Sequence, residues 1–142
     1  MVIKPELTEY IRTLVRGDNE AHDRLQVKLD AEGWDGFPRF LASLFFLAVD
    51  RRFGENYSPA EVIRFVADLR ADLANGGPNI SAEDAEALIR ANLDPELDYD
   101  IEPSMIGKIQ AAVVYKVLTD ASITDEQLDA LLAEAAELAG RP

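Results

Sequence analysis

The chain of 142 residues contains no cysteine and a single histidine, His22. The first absence excludes disulfide scaffolding, thiolate zinc sites and thiol nucleophiles. The second excludes metal sites built from several histidines. The di-iron spacing Glu-x-x-His also fails, because Asn19 stands three residues before His22. His22 lies between Ala21 and Asp23 in a polar stretch and is expected at the surface. No glycine-rich phosphate loop ending in Lys-Ser or Lys-Thr occurs, and Gly76-Gly77 close a helix instead of opening one. Ser43 and Ser104 have no histidine within motif reach, so no nucleophile–base pair is apparent.

Bases are scarce in the second half. Residues 1–70 hold 12 acids and 10 bases, whereas from residue 71 onward 15 acids face only Arg90, Lys108, Lys116 and Arg141. The net charge of −13 therefore lies mostly in the C-terminal half. Such a field repels nucleic acid and anionic lipid, which excludes both as expected partners. It attracts a basic protein, a polyamine or a metal cation, and it also keeps a small domain in solution. Arg outnumbers Lys by 10 to 4 and alanine is frequent, as expected of a GC-rich bacterial genome.

Long hydrophobic runs are missing too. The longest, Phe40 to Val49, has nothing more polar than Ser43 and is flanked by Arg39 and by Asp50-Arg51-Arg52. A membrane helix needs about 20 apolar residues, so this stretch falls short. The opening "MVIKPELTEY" has no apolar core behind its lysine, and a cytoplasmic address is the expectation.

What remains is helical nearly throughout. Leu7, Ile11, Leu14 and Val15 share one face of a helix from about Pro5 to Arg16, which Gly17 stops. A second helix covers about Asn19 to Glu32, and "GWDGFP" breaks the chain after it. The third is the apolar stretch itself, about 38–53. Wound at about 100° per residue, its apolar side chains cover most of the circumference, with Arg39, Ser43 and Asp50 in a narrow strip and Phe46 at its edge. A helix apolar nearly all round is buried by its neighbours, which makes this one the hub. For Phe46 two placements are open, in the core or on a patch that forms a homodimer.

Three later helices share one grammar. Ser58, Ser81 and Thr124 each follow an apolar residue and precede an acid or amide by three positions. That pattern is an N-cap with a capping box and a hydrophobic staple, although Asp84 is short for its role. A sixth helix spans about Ser104 to Thr119, with Met105, Ile106, Ile109, Val113 and Val117 inward. The last runs from Asp125 to about Leu138 and puts Asp129, Glu134 and Glu137 outward. The expected architecture is all-α: a single domain of six or seven helices around the third.

The most unusual segment is "DPELDYDIEP". Asp94, Glu96, Asp98, Asp100 and Glu102 alternate with Pro95, Leu97, Tyr99 and Ile101, which predicts an extended strap, acids on one side and apolar groups on the core. Several carboxylates suit Ca²⁺ or Mg²⁺, so these five acids are candidate metal ligands. Against an EF-hand loop, however, Tyr99 replaces the required glycine and Met105 the final glutamate. The pairs Glu83-x-x-Glu86 and Glu126-x-x-Asp129 match the letters of all-α Mg²⁺-dependent nucleotide pyrophosphatases. The gap between them is long, and acids favour first turns regardless. Trp34 suits either a ligand stack or a lid on the core. Arg39, Arg51 and Arg52 around Trp34 and Tyr57 would form an anion-binding corner if they converged.

The sequence therefore suggests a non-catalytic protein-interaction module or adaptor that uses no cofactor and binds a basic protein. Phe46, Arg39, Trp34, Asp129, Glu134 and Glu137 are its candidate contact residues. The competing expectation is a carboxylate-based, Mg²⁺-dependent hydrolase of nucleotides or phosphoesters.

Overall fold

Proline and small hydroxylated or acidic side chains set where each helix begins. Pro5 and Pro59 occupy first-turn positions where a missing N–H costs no bond. Ser58 Oγ accepts from the Glu61 N–H at 3.2 Å, and Ser81 Oγ from the Asp84 N–H at 3.2 Å. Asp18, not anticipated as a cap, accepts from the Ala21 N–H at 3.3 Å. Of the three expected capping boxes one is reciprocal. Thr124 Oγ1 accepts from the Gln127 N–H at 3.1 Å, and Gln127 Oε1 accepts from the Thr124 N–H at 3.0 Å. A glutamine reaches back over the first turn where Asp84 is too short to do so.

The computed structural model describes residues 2–54, 56–74, 77–120 and 123–141. Gly76, half of the anticipated Gly76-Gly77 stop, lies outside them. Among the described residues there are seven helices and no strand: α1 (Pro5–Arg16), α2 (Asn19–Glu32), α3 (Phe37–Phe53), α4 (Pro59–Leu73), α5 (Ala82–Leu93), α6 (Pro103–Asp120) and α7 (Asp125–Gly140). Among those residues, no helix is long and apolar enough to cross a membrane.

The core forms where α3 meets α6 and α7. Phe40, Leu44, Ala48 and Val49 of α3 are fully buried, as are Ile109 and Val113 of α6 and Leu128, Leu132 and Ala135 of α7. α1 pairs with α2 and α4 with α5, and each pair leans on α6. α3 is central, as expected: it lies against α5, α6 and α7, its contacts with α6 and α7 being the most extensive, and α6 also touches α1, α4 and α5. Yet α3 is not buried all round, as its near-complete apolar circumference suggested. Arg39, Ala42, Phe46 and Asp50 form an outward strip, with Phe46 48% exposed, so of its two placements the surface one is found.

Where α4 meets α6, Lys116 lies over the Phe65 ring at 5.7 Å from its centroid. It donates to Asp72 at 2.9 Å and approaches Asp120 at 2.9 Å. Burial by itself would lower Lys116, but its bonds to the two carboxylates outweigh that and hold its pKa above the usual lysine value. A cation whose pKa rises on folding adds stability below its unfolded titration range, and loses it as pH climbs through the folded value. Urea melts should therefore show a gap between the native protein and Lys116→Met at pH 7. The gap should hold up to the ordinary lysine range and shrink above it; one that stays constant beyond that range would exclude the triad as its source.

Candidate interaction groove

The outward face of α6 carries two small residues, Gly107 and Ala111, at its middle. Ile109, Val113, Val114, Val117 and Leu118 point into the core, which leaves Pro103, Gly107, Ala111 and Tyr115 in one row at four-residue spacing on the opposite side. With little side chain at the middle of that row, the neighbouring helices stand above it as walls. Toward the C-terminal half of α6, Leu14, Leu73, Pro78 and Tyr115 enclose about 520 Å³. Toward the N-terminal half, Phe37, Pro38, Leu41 and Ala42 enclose about 590 Å³. Both parts share Gly107 and Ala111 as floor, so they are one groove. Among its described lining residues, Lys108, Gln110 and the Tyr115 hydroxyl supply the polar atoms.

A deeper recess of about 180 Å³ opens off the middle, lined by Tyr10, Ile11, Phe37, Leu41, Val114 and Tyr115 among others. Its rim is firm, because Tyr10, Trp34 and Phe37 pack edge to face with centroids 5.0–6.0 Å apart. His22 stacks on Tyr10 at 4.2 Å, and its Nδ1 lies 3.1 Å from both the Tyr10 carbonyl and Thr13 Oγ1. His22 is thus half-buried between α1 and α2, and the surface expectation is corrected: a flat ring gains more by stacking on Tyr10 than in water. Burial, with the Asp30 carboxylate adding to it, pushes the Tyr10 phenol up, so it stays neutral.

The N-terminal end of the groove runs into the acidic segment. Ala42 and Gln110 continue into a shallower hollow of about 290 Å³ that ends on Tyr99. Asp94 shapes the segment's start, accepting from the Glu96 N–H at 3.1 Å on Oδ1 and from the Leu97 N–H at 3.0 Å on its carbonyl. The expected strap is only partly formed. Ile101 packs on the core, but Leu97 and Tyr99 remain 38% and 49% exposed, because the Asp94 turn carries them out over solvent. Glu96, Asp98, Asp100 and Glu102 are exposed and Asp94 is half-buried. Among the described residues none of the five has an ion-pair partner. Nor, among the described residues, do three His, Asp or Glu side chains gather where they could hold a metal ion. Glu83 and Glu86 stand on α5, Glu126 and Asp129 on α7.

The other anticipated contact residues are dispersed. Asp129 is bound within the chain: Arg12 Nε donates to its Oδ1 at 2.7 Å, and Arg12 also pairs with Glu9. Beside it Arg16 reaches Asp125 at 2.7 Å and the Ile123 carbonyl at 3.1 Å. Two of the acids in the first turns of α7 therefore neutralise the bases of α1. Glu137 pairs with Arg141 at 3.2 Å, and Glu134 is exposed.

The anion-binding corner does not form. Arg39 donates to the Arg141 carbonyl at 2.6 Å, whereas Arg52 lies on the Phe53 and Phe65 rings at 5.0 and 5.6 Å, at the far end of α3. A helix rises about 1.5 Å per residue, which separates these two backbones by roughly 20 Å. Trp34 Nε1 donates to Asp30 at 2.8 Å, so this tryptophan caps the aromatic cluster behind the recess.

Sequence reasoning missed the groove, although Gly107 and Ala111-Ala112 inside a helix were its signal. The chain matches no family model, no curated protein and no solved structure.

Proposed function

We propose that this protein is a non-catalytic interaction module that binds a basic protein through the acidic segment Asp94–Glu102 and the apolar groove adjoining it. One observation carries the reading: five carboxylates within nine residues, unpaired with any base among the described residues, flank Tyr99 and Pro103, which line the apolar surface. Like charges so close repel one another, and a cationic partner relieves that repulsion while steering itself to the site. The apolar surface then supplies the affinity that surface ion pairs alone do not.

The acids of α7 take a smaller part than their outward face suggested, since Asp125 and Asp129 already hold Arg12 and Arg16. The test is a reconstitution. A protein captured by the purified chain is purified itself and titrated against the native chain and an Asp98→Asn/Asp100→Asn/Glu102→Gln variant. A loss of affinity of at least tenfold, with steep salt dependence, is expected. Equal affinity would reject the acidic segment as the contact. Nucleotide hydrolysis with Mg²⁺ or Mn²⁺ that Glu83→Ala abolishes would instead reject the non-catalytic reading.

A further inference from the structure

Resting on that reading, we infer that the occupant of the α6 groove is an amphipathic α-helix of a basic partner. It lies along Pro103–Tyr115 with its cationic end toward Asp98, Asp100 and Glu102 and one large apolar side chain in the recess. Backbone chemistry favours a helix over an extended segment. The walls of the groove are helices, and among the described residues no strand edge is present to pair with an extended chain. A helix brings its own backbone hydrogen bonds and needs only an apolar floor.

The floor suits that approach. Gly107 stands inside α6, where glycine is unfavourable compared with alanine, yet a Cβ placed there would meet nothing within 4 Å. Packing inside the chain therefore gives no reason for the glycine. Gly107 and Ala111 together let a second backbone come near the 8–10 Å interaxial distance of packed helices. The row from Pro103 to Tyr115 is about 18 Å long at the helical rise, which matches roughly three turns of a partner. The recess of about 180 Å³ exceeds the ~150 Å³ of an apolar cavity that takes up benzene, so it has room for a leucine or phenylalanine side chain.

Charge complementarity fixes the partner's polarity. Asp98, Asp100 and Glu102 are chain neighbours of Tyr99 and Pro103, which line the N-terminal end of the groove, while the C-terminal half carries Lys108. A second copy of this chain, at −13, would bring more carboxylates to an acidic rim, and an anionic membrane would be repelled.

Three fluorescent peptides of 18 residues test the inference by anisotropy: a Leu/Lys sequence with a helical apolar face, the same composition scrambled to remove that face, and a Leu/Glu counterpart. The first should bind at least tenfold more tightly than the other two. Gly107→Gln or Ala111→Gln, both at positions open to solvent, should weaken it at least tenfold with unchanged circular dichroism. Equal binding of ordered and scrambled peptides, weakened only by the Asp98→Asn/Asp100→Asn/Glu102→Gln variant, would overturn the helix and leave the acidic-segment reading standing. Weakening by the glutamine variants alone would keep the helix and overturn the acidic segment's part. Absence of binding by the Leu/Lys peptide, dimerisation abolished by Ala111→Gln, or uptake of phosphatidylcholine vesicles in its place would each overturn the inference.

Discussion

Phe40→Ala should destabilise the protein by about 3–5 kcal/mol, while Phe46→Ala, on the same helix, should cost less than about 1 kcal/mol. The two side chains are chemically identical and six residues apart, but Phe40 is fully buried and Phe46 is 48% exposed. Removing the Phe40 ring forfeits its transfer free energy and leaves a cavity in the core that α3 forms with α6 and α7. For a domain whose whole stability is about 5–15 kcal/mol, that is roughly a fifth or more of the total. Urea melts of the two variants decide it. Similar midpoints for both would mean that α3 does not face the core as described.

Gly33→Ala should cost about 1–3 kcal/mol although it adds one methyl group in open space. Gly33 has φ 106° and ψ 153°, a region open essentially to glycine alone, and no atom lies within 4 Å of an added Cβ. The cost is therefore conformational and not steric crowding by neighbours. It falls where α2 ends, at a residue whose N–H donates to the Leu29 carbonyl at 2.7 Å and whose carbonyl accepts from Lys4 Nζ at 2.6 Å. The chain has one tryptophan, Trp34, next in sequence and packed on Tyr10 and Phe37, so its fluorescence reports any rearrangement. Gly17→Ala, at φ 72° and ψ 21°, enters the milder left-handed helical region and should cost about 1 kcal/mol. A Gly33→Ala protein that melts with the native one would refute the strained turn.

Local chemistry made most of the fold legible. Ser58, Ser81 and Thr124 cap helices through bonds to residues three positions away, and Gly17 and Gly54 stop them through positive φ, all of which a short window contains. Periodicity located the seven helices but not every face. Leu14, taken as inward, is 36% exposed, while its neighbour Thr13 is buried, its hydroxyl donating to the Tyr10 carbonyl beside His22. One residue is about 100° of rotation, and only the position of α2 decides which side of α1 is covered.

The alternation in Asp94–Glu102 foretold a segment outside the helices, but not the turn at Asp94 nor that Leu97 and Tyr99 would stay at the surface. The groove was beyond reach for a simpler reason. It exists because, among the described residues, no element covers Gly107 and Ala111, and an uncovered face is a property of the assembled helices. Asp129 shows the converse: an acid that looked outward on its own helix meets Arg12, 117 residues earlier in the chain.

The burial of α3 against α6 and α7 also governs how the chain behaves while it is being made. α3 ends at Phe53, but α6 begins only at Pro103 and α7 ends at Gly140. At about 5–20 residues per second, a ribosome takes roughly 3–20 s to deliver the helices that cover it. For that interval α3 has α1, α2, α4 and then α5 for company but not the surfaces of α6 and α7 that bury it in the finished fold. Its flanking charges, Arg39 on one side and Asp50, Arg51 and Arg52 on the other, are then what separates it from its neighbours on a polysome.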